Sequence, residues 1–225
     1  FHSLCVKMLR IHGHLIGFNN NFTIYDQSDS TKLVRNCMRD SDIDTKQYSP
    51  KRIQAHISSL KNQRILPGEA VEFAQSFFDV KVAEIYSSYQ KKLMLANSMD
   101  FDDLLLKTNE LLNNFPEVLA KYQEKFKYIL VDEYQDTNKP QFMLIKYLAG
   151  SHDQVCVVGD DDQSIYSWRG AEVGNILRFE EDFPGAKTVR LERNYRSTPH
   201  ILAAASGLIA HNEDRLGKTL WTDVN

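Results

Sequence analysis

An apolar run, Tyr128-Ile-Leu-Val131, ends in two adjacent carboxylates, Asp132 and Glu133, followed by Tyr134, Gln135 and Asp136. Acids delivered at the C-terminal end of a strand stand where parallel sheets bind ligands. The pairing suits a Mg²⁺-phosphate centre: the first acid holds the metal, usually through water, and the second orients or deprotonates an attacking water. A strand that merely ends in acidic turn residues has the same pattern, so the pair alone leaves both readings open.

Two further segments carry candidate chemistry. Val157-Val-Gly159 leads into Asp160, Asp161, Asp162 and Gln163, and then Tyr166, Trp168 and Arg169 at short spacing. A glutamine can hydrogen-bond a γ-phosphate or its attacking water without adding charge. Tyrosine and tryptophan offer faces on which bases stack, and an arginine pairs with carboxylate or phosphate. Core or rim packing explains the same aromatics equally simply. Taken alone, the adjacent acids 160–162 could suggest a second metal site. Downstream, Leu191-Glu-Arg-Asn194-Tyr195-Arg196-Ser197 sets an arginine and a tyrosine just beyond an apolar run. Arg196 could reach a transferring phosphate and Tyr195 could stack on a base. Helix capping by Ser197 or Thr198 before Pro199 accounts for the end of the motif without any function.

The elements that must position these residues follow from periodicity. Phe22–Tyr25, Tyr128–Val131, Val155–Val158 and Thr188–Leu191 are short, apolar and rich in β-branched residues. The second and third lack polar alternation, as strands covered on both faces do. Helical stretches at 140–149 and 173–182 separate the later strands, the alternation of an α/β parallel sheet. Residues 26–99 differ. They contain no convincing strand, and their spacing predicts helices over 27–39 and 50–61 and one long amphipathic helix over 71–96. This reads as an all-α module inserted into an α/β domain.

Bulk properties set the outer limits. The 225 residues are 42% hydrophobic and 25% charged, ordinary values for a globular protein. No apolar run approaches the roughly 20 residues of a membrane span. Cys5, Cys37 and Cys156 are odd in number and widely spaced, which predicts unpaired, mostly buried thiols and a cytoplasmic setting. Net charge is −3, yet eight basic residues between Thr31 and Arg64 face only three acids. That stretch is either a phosphate-binding surface or a solvated helical face.

In combination and order these motifs resemble the UvrD/PcrA/Rep-type superfamily 1 DNA helicases, most of all their PcrA-like branch. Asp132 to Asn138 resembles the family's motif II, Gly159 to Ala171 its motif III, and Leu191 to Ser197 its motif IV. Phe1-His2-Ser3 with Leu9-Arg10 is similar to the end of a DNA-contacting motif. Asp100-Phe-Asp-Asp-Leu-Leu105 and Lys218-Thr-Leu-Trp221-Thr222 are similar to flanking family segments. The resemblance implies a partial RecA-like P-loop ATPase domain, domain 1A, at 1–25 and 100–225 running towards domain 2. The inserted helical subdomain 1B would occupy 26–99.

It also implies ATP and Mg²⁺ as cofactors, with Asp132 holding the metal and Glu133 as catalytic base. Gln163 and Arg196 would contact the γ-phosphate and Tyr195 the adenine. Phe1, His2, Tyr166 and Trp168 would line DNA-base pockets, with Arg169 supporting that wall. Gln163 and Trp168 lie five residues apart, a short path between phosphate and DNA. Expected partners are single-stranded DNA, single-strand/duplex junctions and repair proteins, with 3′-to-5′ polarity and no membrane. Such an ATPase needs a G-x-x-x-x-G-K-[ST] loop. The sole Gly-Lys-Thr, Gly217-Lys218-Thr219, follows a polar run and has Asn212 where the first glycine belongs, so it is not that loop. The chain is therefore expected to be an internal, catalytically incomplete fragment. A non-catalytic DNA-binding homologue and an AddA/RecB-like helicase–nuclease subunit are the competing readings.

Overall fold

The computed structural model describes residues 1–225 except 151, 153, 168, 169, 213, 214, 224 and 225. Trp168 and Arg169, two expected DNA contacts, lie outside the described residues. Helices and short parallel strand pairs mix in an α/β architecture, and the chain divides into two compact units.

The first unit is Phe1–Ile129 with Asn138–Val155. It opens with α1 (His2–His12) and β1 (Thr23–Tyr25), followed by α2 (Gln27–Asp40), α3 (Pro50–Asn62) and α4 (Phe77–Leu95). The expected helix over 71–96 begins only at Phe77. Ser76 ends the preceding turns by accepting the Asp79 N–H, and Asp79 reaches back to the Ser76 hydroxyl, a local closure that starts a new helix. Val34, Met38, Ile53, Ile57, Tyr86 and Tyr89 interlock α2, α3 and α4 in one core.

The chain returns through β2 (Ser98–Asp100), a strand the sequence did not predict. β2 lies parallel to β1 with Thr23 beside Ser98 and Tyr25 beside Asp100. The helices between them are thus one long crossover, the obligatory connection for parallel neighbours. Asp100 then caps α5 (Phe101–Asn114) in a reciprocal pair with Asp103. α6 (Pro116–Lys125) and α7 (Lys139–Ala149) pack with α1 and α5 around a second core built on Leu9, Phe22, Met99, Leu105, Leu112 and Leu144.

An ionic cluster lies between α3, α4 and the start of α5. Lys61 is wholly buried, its ammonium 2.7 Å from Asp100 Oδ2 and 2.8 Å from Asp103 Oδ1. Burial works against the charged lysine, but the two carboxylates raise its pKa above the ordinary lysine value. Beside it, Asp102 accepts a 2.6 Å bond from Ser58. Burial and neighbouring Asp100 push the Asp102 carboxyl up to about 6, against the pull of that hydroxyl. Lys61 therefore leaves the basic stretch 31–64: it neutralises buried acids and offers nothing to a phosphate.

β3 (Ile129–Val131) and β4 (Val155–Val157) pair with each other. The Ile129 N–H donates to Gln154 O at 2.9 Å and the Val158 N–H to Val131 O at 2.8 Å, the stagger of parallel strands. The expected cover on both faces is absent among the described residues. Leu130 is 78% exposed and Cys156 is also exposed, whereas Cys5 and Cys37 are buried.

The second unit is Leu130–Thr137 with Cys156–Asn225. The predicted helix over 173–182 is two short ones, α8 (Gly174–Leu177) and α9 (Phe179–Asp182), broken where Arg178 leaves helical geometry at φ −101°, ψ 14°. The break puts Glu180, Glu181 and Asp182 in the first turn of a new helix, where the dipole favours acids. Thr188–Leu191 is not a strand. A strand needs a backbone partner, and the nearest ladder contact is a single parallel bridge between Arg193 and Trp221. Val189 and Leu191 stay exposed. α10 (Pro199–Ile209) follows, with Thr198 at its N-cap position and Pro199 in its first turn.

Candidate functional site

Val131, buried at the end of β3, delivers Asp132 and Glu133 to an exposed edge. Asp132 Oδ1 accepts the Glu133 N–H at 3.0 Å. Glu133 itself has φ 51°, ψ 45°, a left-handed conformation that costs a non-glycine residue roughly 1–2 kcal/mol. The surrounding bonds hold it there. The Tyr134 N–H donates to Val158 O at 3.0 Å, and the Asp136 N–H returns to Glu133 O at 3.0 Å.

Gln135 does the most to fix the acid. It is 1% exposed, and both ends of its amide are used. Its Nε2 donates to Glu133 Oε2 at 2.8 Å, while its Oε1 accepts the Asp160 N–H at 3.0 Å. Asp160 in turn accepts from Gln163 Nε2 at 2.7 Å through its side chain. Glu133, Gln135, Asp160 and Gln163 thus form one chain of hydrogen bonds joining the loops after β3 and β4. Thr137 closes the turn from below, accepting from the Asn175 amide at 3.1 Å and from the Glu172 N–H at 2.9 Å. Tyr134 packs edge-on to Phe179, its ring fully buried; burial, then Asp182, pushes its phenol up to about 12. Gln135, Thr137 and Asn175 escaped the sequence reading, because nothing in a polar residue's type marks it as buried.

Gly159 makes this approach feasible. A Cβ there would lie 2.7 Å from Gln135 Oε1, 2.8 Å from Ile176 Cδ1 and 3.2 Å from the Tyr134 backbone nitrogen. Gly159→Ala is expected to destabilise the fold by about 1–3 kcal/mol through this overpacking. Urea unfolding of the variant checks it, and an unchanged midpoint would show that the two loops separate freely.

Tyr195 and Arg196, within the second unit, are not hydrogen-bonded to this network among the described residues. Tyr195 is 73% exposed, with the Arg193 guanidinium over its ring at 4.8 Å and over Trp221 at 5.3 Å. Arg196 is exposed; its N–H and that of Ser197 donate to Asn194 Oδ1 at 2.9 and 2.8 Å in a tight turn. No hydrogen bond among the described residues joins Arg196 or Tyr195 to Asp132, Glu133 or Gln163. Phe1 and His2 begin α1 in the first unit, where His2 meets Phe101 edge-on at 5.9 Å. Tyr166 belongs to the second unit and is about one-third exposed.

Among the described residues no cage of three or more His, Cys, Asp or Glu side chains gathers. One accessible carboxylate, Asp132, nevertheless fits Mg²⁺, which keeps most of its waters and takes its other ligands from phosphate. No helix among the described residues is long and apolar enough to cross a membrane.

Residues 1–184 match the family described as the UvrD/REP helicase N-terminal domain. The chain is 53% identical over 226 residues to a probable DNA helicase II homolog of Rickettsia felis, an alignment covering 99% of this chain and 35% of that protein. It is 48% identical over 223 residues to the ATP-dependent DNA helicase PcrA of Bacillus subtilis, covering 99% and 30%. It is 49% identical over 222 residues to PcrA of Staphylococcus epidermidis, with the same coverage. The chain spans about a third of the length of the curated relatives it matches.

Proposed function

The chain belongs to the UvrD/REP helicase N-terminal domain family, and on that premise we propose that it is the part of an ATP-driven DNA helicase or translocase that carries the hydrolytic acid. The observation behind this reading is the hydrogen-bond chain from Glu133 through Gln135 and Asp160 to Gln163. It ties the acid that would take a proton from water to the amide that would sense the γ-phosphate. A shift of one would reach the other through these bonds.

In this reading 1–25 and 100–225 are parts of a RecA-like ATPase domain and 26–99 is its inserted helical subdomain. Asp132 would hold Mg²⁺ through water. The ion, when bound, neutralises phosphate charge that would otherwise repel the attacking oxygen. Glu133 orients the water and accepts its proton, Gln163 and Arg196 contact the γ-phosphate, and Tyr195 stacks on adenine. Phe1, His2, Tyr166, Trp168 and Arg169 engage the bases of single-stranded DNA, at or near junctions with duplex. Movement runs 3′ to 5′, in the cytoplasm, in the service of DNA repair and replication. Relatives described as ATP-dependent DNA helicases support the assignment.

The protein carrying this chain should hydrolyse ATP slowly alone and faster with a single-stranded oligonucleotide, dependent on Mg²⁺. Phosphate release measured with and without DNA checks it. No hydrolysis under either condition would leave the motif as structure only.

A further inference from the structure

Asp161, Asp162 and the decoy Gly217-Lys218-Thr219 have no place in the mechanism above, yet the second unit brings them together around Asp160. Arg215 grips Asp162 with two bonds, Nε to Oδ1 at 2.8 Å and a terminal nitrogen to Oδ2 at 2.5 Å. The Leu216 N–H donates to Asp161 Oδ2 at 2.8 Å. Lys218 pairs with Asp160 Oδ1 and lies 3.7 Å from Asp162 Oδ2. Gly217, at φ 69°, supplies the left-handed turn between these contacts.

These are not loose surface pairs. The side chains of Asp160, Asp162, Arg215 and Lys218 are all less than a quarter exposed. One four-residue stretch thus satisfies three successive carboxylates. The two oxygens of Asp160 have divided tasks: Oδ1 faces Lys218, and Oδ2 accepts from Gln163.

We propose that Arg215 and Lys218 are positioning residues for Gln163, a brace that acts through Asp162 and Asp160. The inference rests on the reading of Gln163 as a contact to the γ-phosphate or its water. An ionised Asp160 can only accept hydrogen bonds, so it must take the Nε2 end of the Gln163 amide. The carbonyl oxygen and the second N–H remain for water and phosphate. Without the Lys218 ammonium, Asp160 Oδ1 keeps only the Asp162 N–H at 3.1 Å among the described residues, and the anchor of Gln163 loosens. A side chain far along the chain thereby sets which end of a glutamine faces the reaction.

The test is a double-mutant cycle in the full-length protein that carries this chain. DNA-stimulated ATP hydrolysis is read as kcat and KM for Lys218→Ala, Lys218→Arg, Gln163→Ala and the Lys218→Ala/Gln163→Ala pair, alongside thermal denaturation of each. Lys218→Ala should lower kcat roughly tenfold with little change in KM, and Lys218→Arg should recover most of it. In the Gln163→Ala background the lysine change should add almost nothing, because both act through one amide. Multiplying losses, or a lowered melting temperature with kcat unchanged, would make the brace structural and overturn the proposal. Absence of hydrolysis in the unmodified protein would instead remove the underlying reading, and the brace with it.

Discussion

Lys61→Met is expected to destabilise the first unit by roughly 3–5 kcal/mol, the loss typical when one partner of a buried ion pair is removed. Methionine nearly matches the stem in length, so packing is kept while charge is lost. Two carboxylates then remain buried, Asp100 and Asp103, held by Tyr89 at 2.8 Å, Gln90 at 3.0 and 3.1 Å and their reciprocal backbone N–H bonds at 2.9 and 3.3 Å, with no cation to balance them among the described residues. In the intact protein burial opposes ionisation of Asp100, but Lys61 holds its carboxyl below the ordinary range. Burial and Asp100 push Asp103 the other way, with Lys61 limiting the rise. Without the ammonium both would shift upward and one would take a proton. Urea unfolding monitored by circular dichroism measures the loss. Adding Asp103→Asn should restore part of it by removing one orphaned charge. A loss below about 1 kcal/mol would mean that water reaches the cluster and the ions are effectively exposed.

Glu133→Gln in the full-length protein should lower ATP turnover by about 10²- to 10⁴-fold, the contribution typical of a positioned general base. The substitution is close to isosteric, and its amide oxygen can still accept from Gln135 Nε2, now 2.8 Å from Glu133 Oε2. Folding and nucleotide binding should therefore persist while proton acceptance is lost. Single-turnover hydrolysis together with a nucleotide-binding titration separates the two. A fall in turnover of less than fivefold would place the base elsewhere.

The strands at β3 and β4 were legible because continuous apolar runs ending in Asp132 and Gly159 admit few alternatives. α7 was legible for a different reason: Asn138, Pro140 and Gln141 spell its start locally. β2 was not, since Ser98, Met99 and Asp100 are strand only because β1 lies beside them. Thr188–Leu191 failed in the opposite sense, having strand composition but no ladder. Within the candidate site, Asp132, Glu133 and Gln163 are proposed from type and spacing. Their connection could not be read that way, because it runs through Gln135 and Asp160, whose importance is a matter of burial and hydrogen bonding. Lys61 shows the same blindness: counted among basic residues, it carries its charge inward.

The parallel register that sets Thr23 beside Ser98 has a kinetic consequence. These two strands cannot meet until the whole excursion between them has been gathered in, and the entropy of closing so long a loop comes before any ladder bond forms. Helices α2, α3 and α4 share a core of their own and can condense early, shortening the span left to close. The β1–β2 pair should accordingly be a late event in folding, with its amides the last of this region to gain protection from solvent exchange.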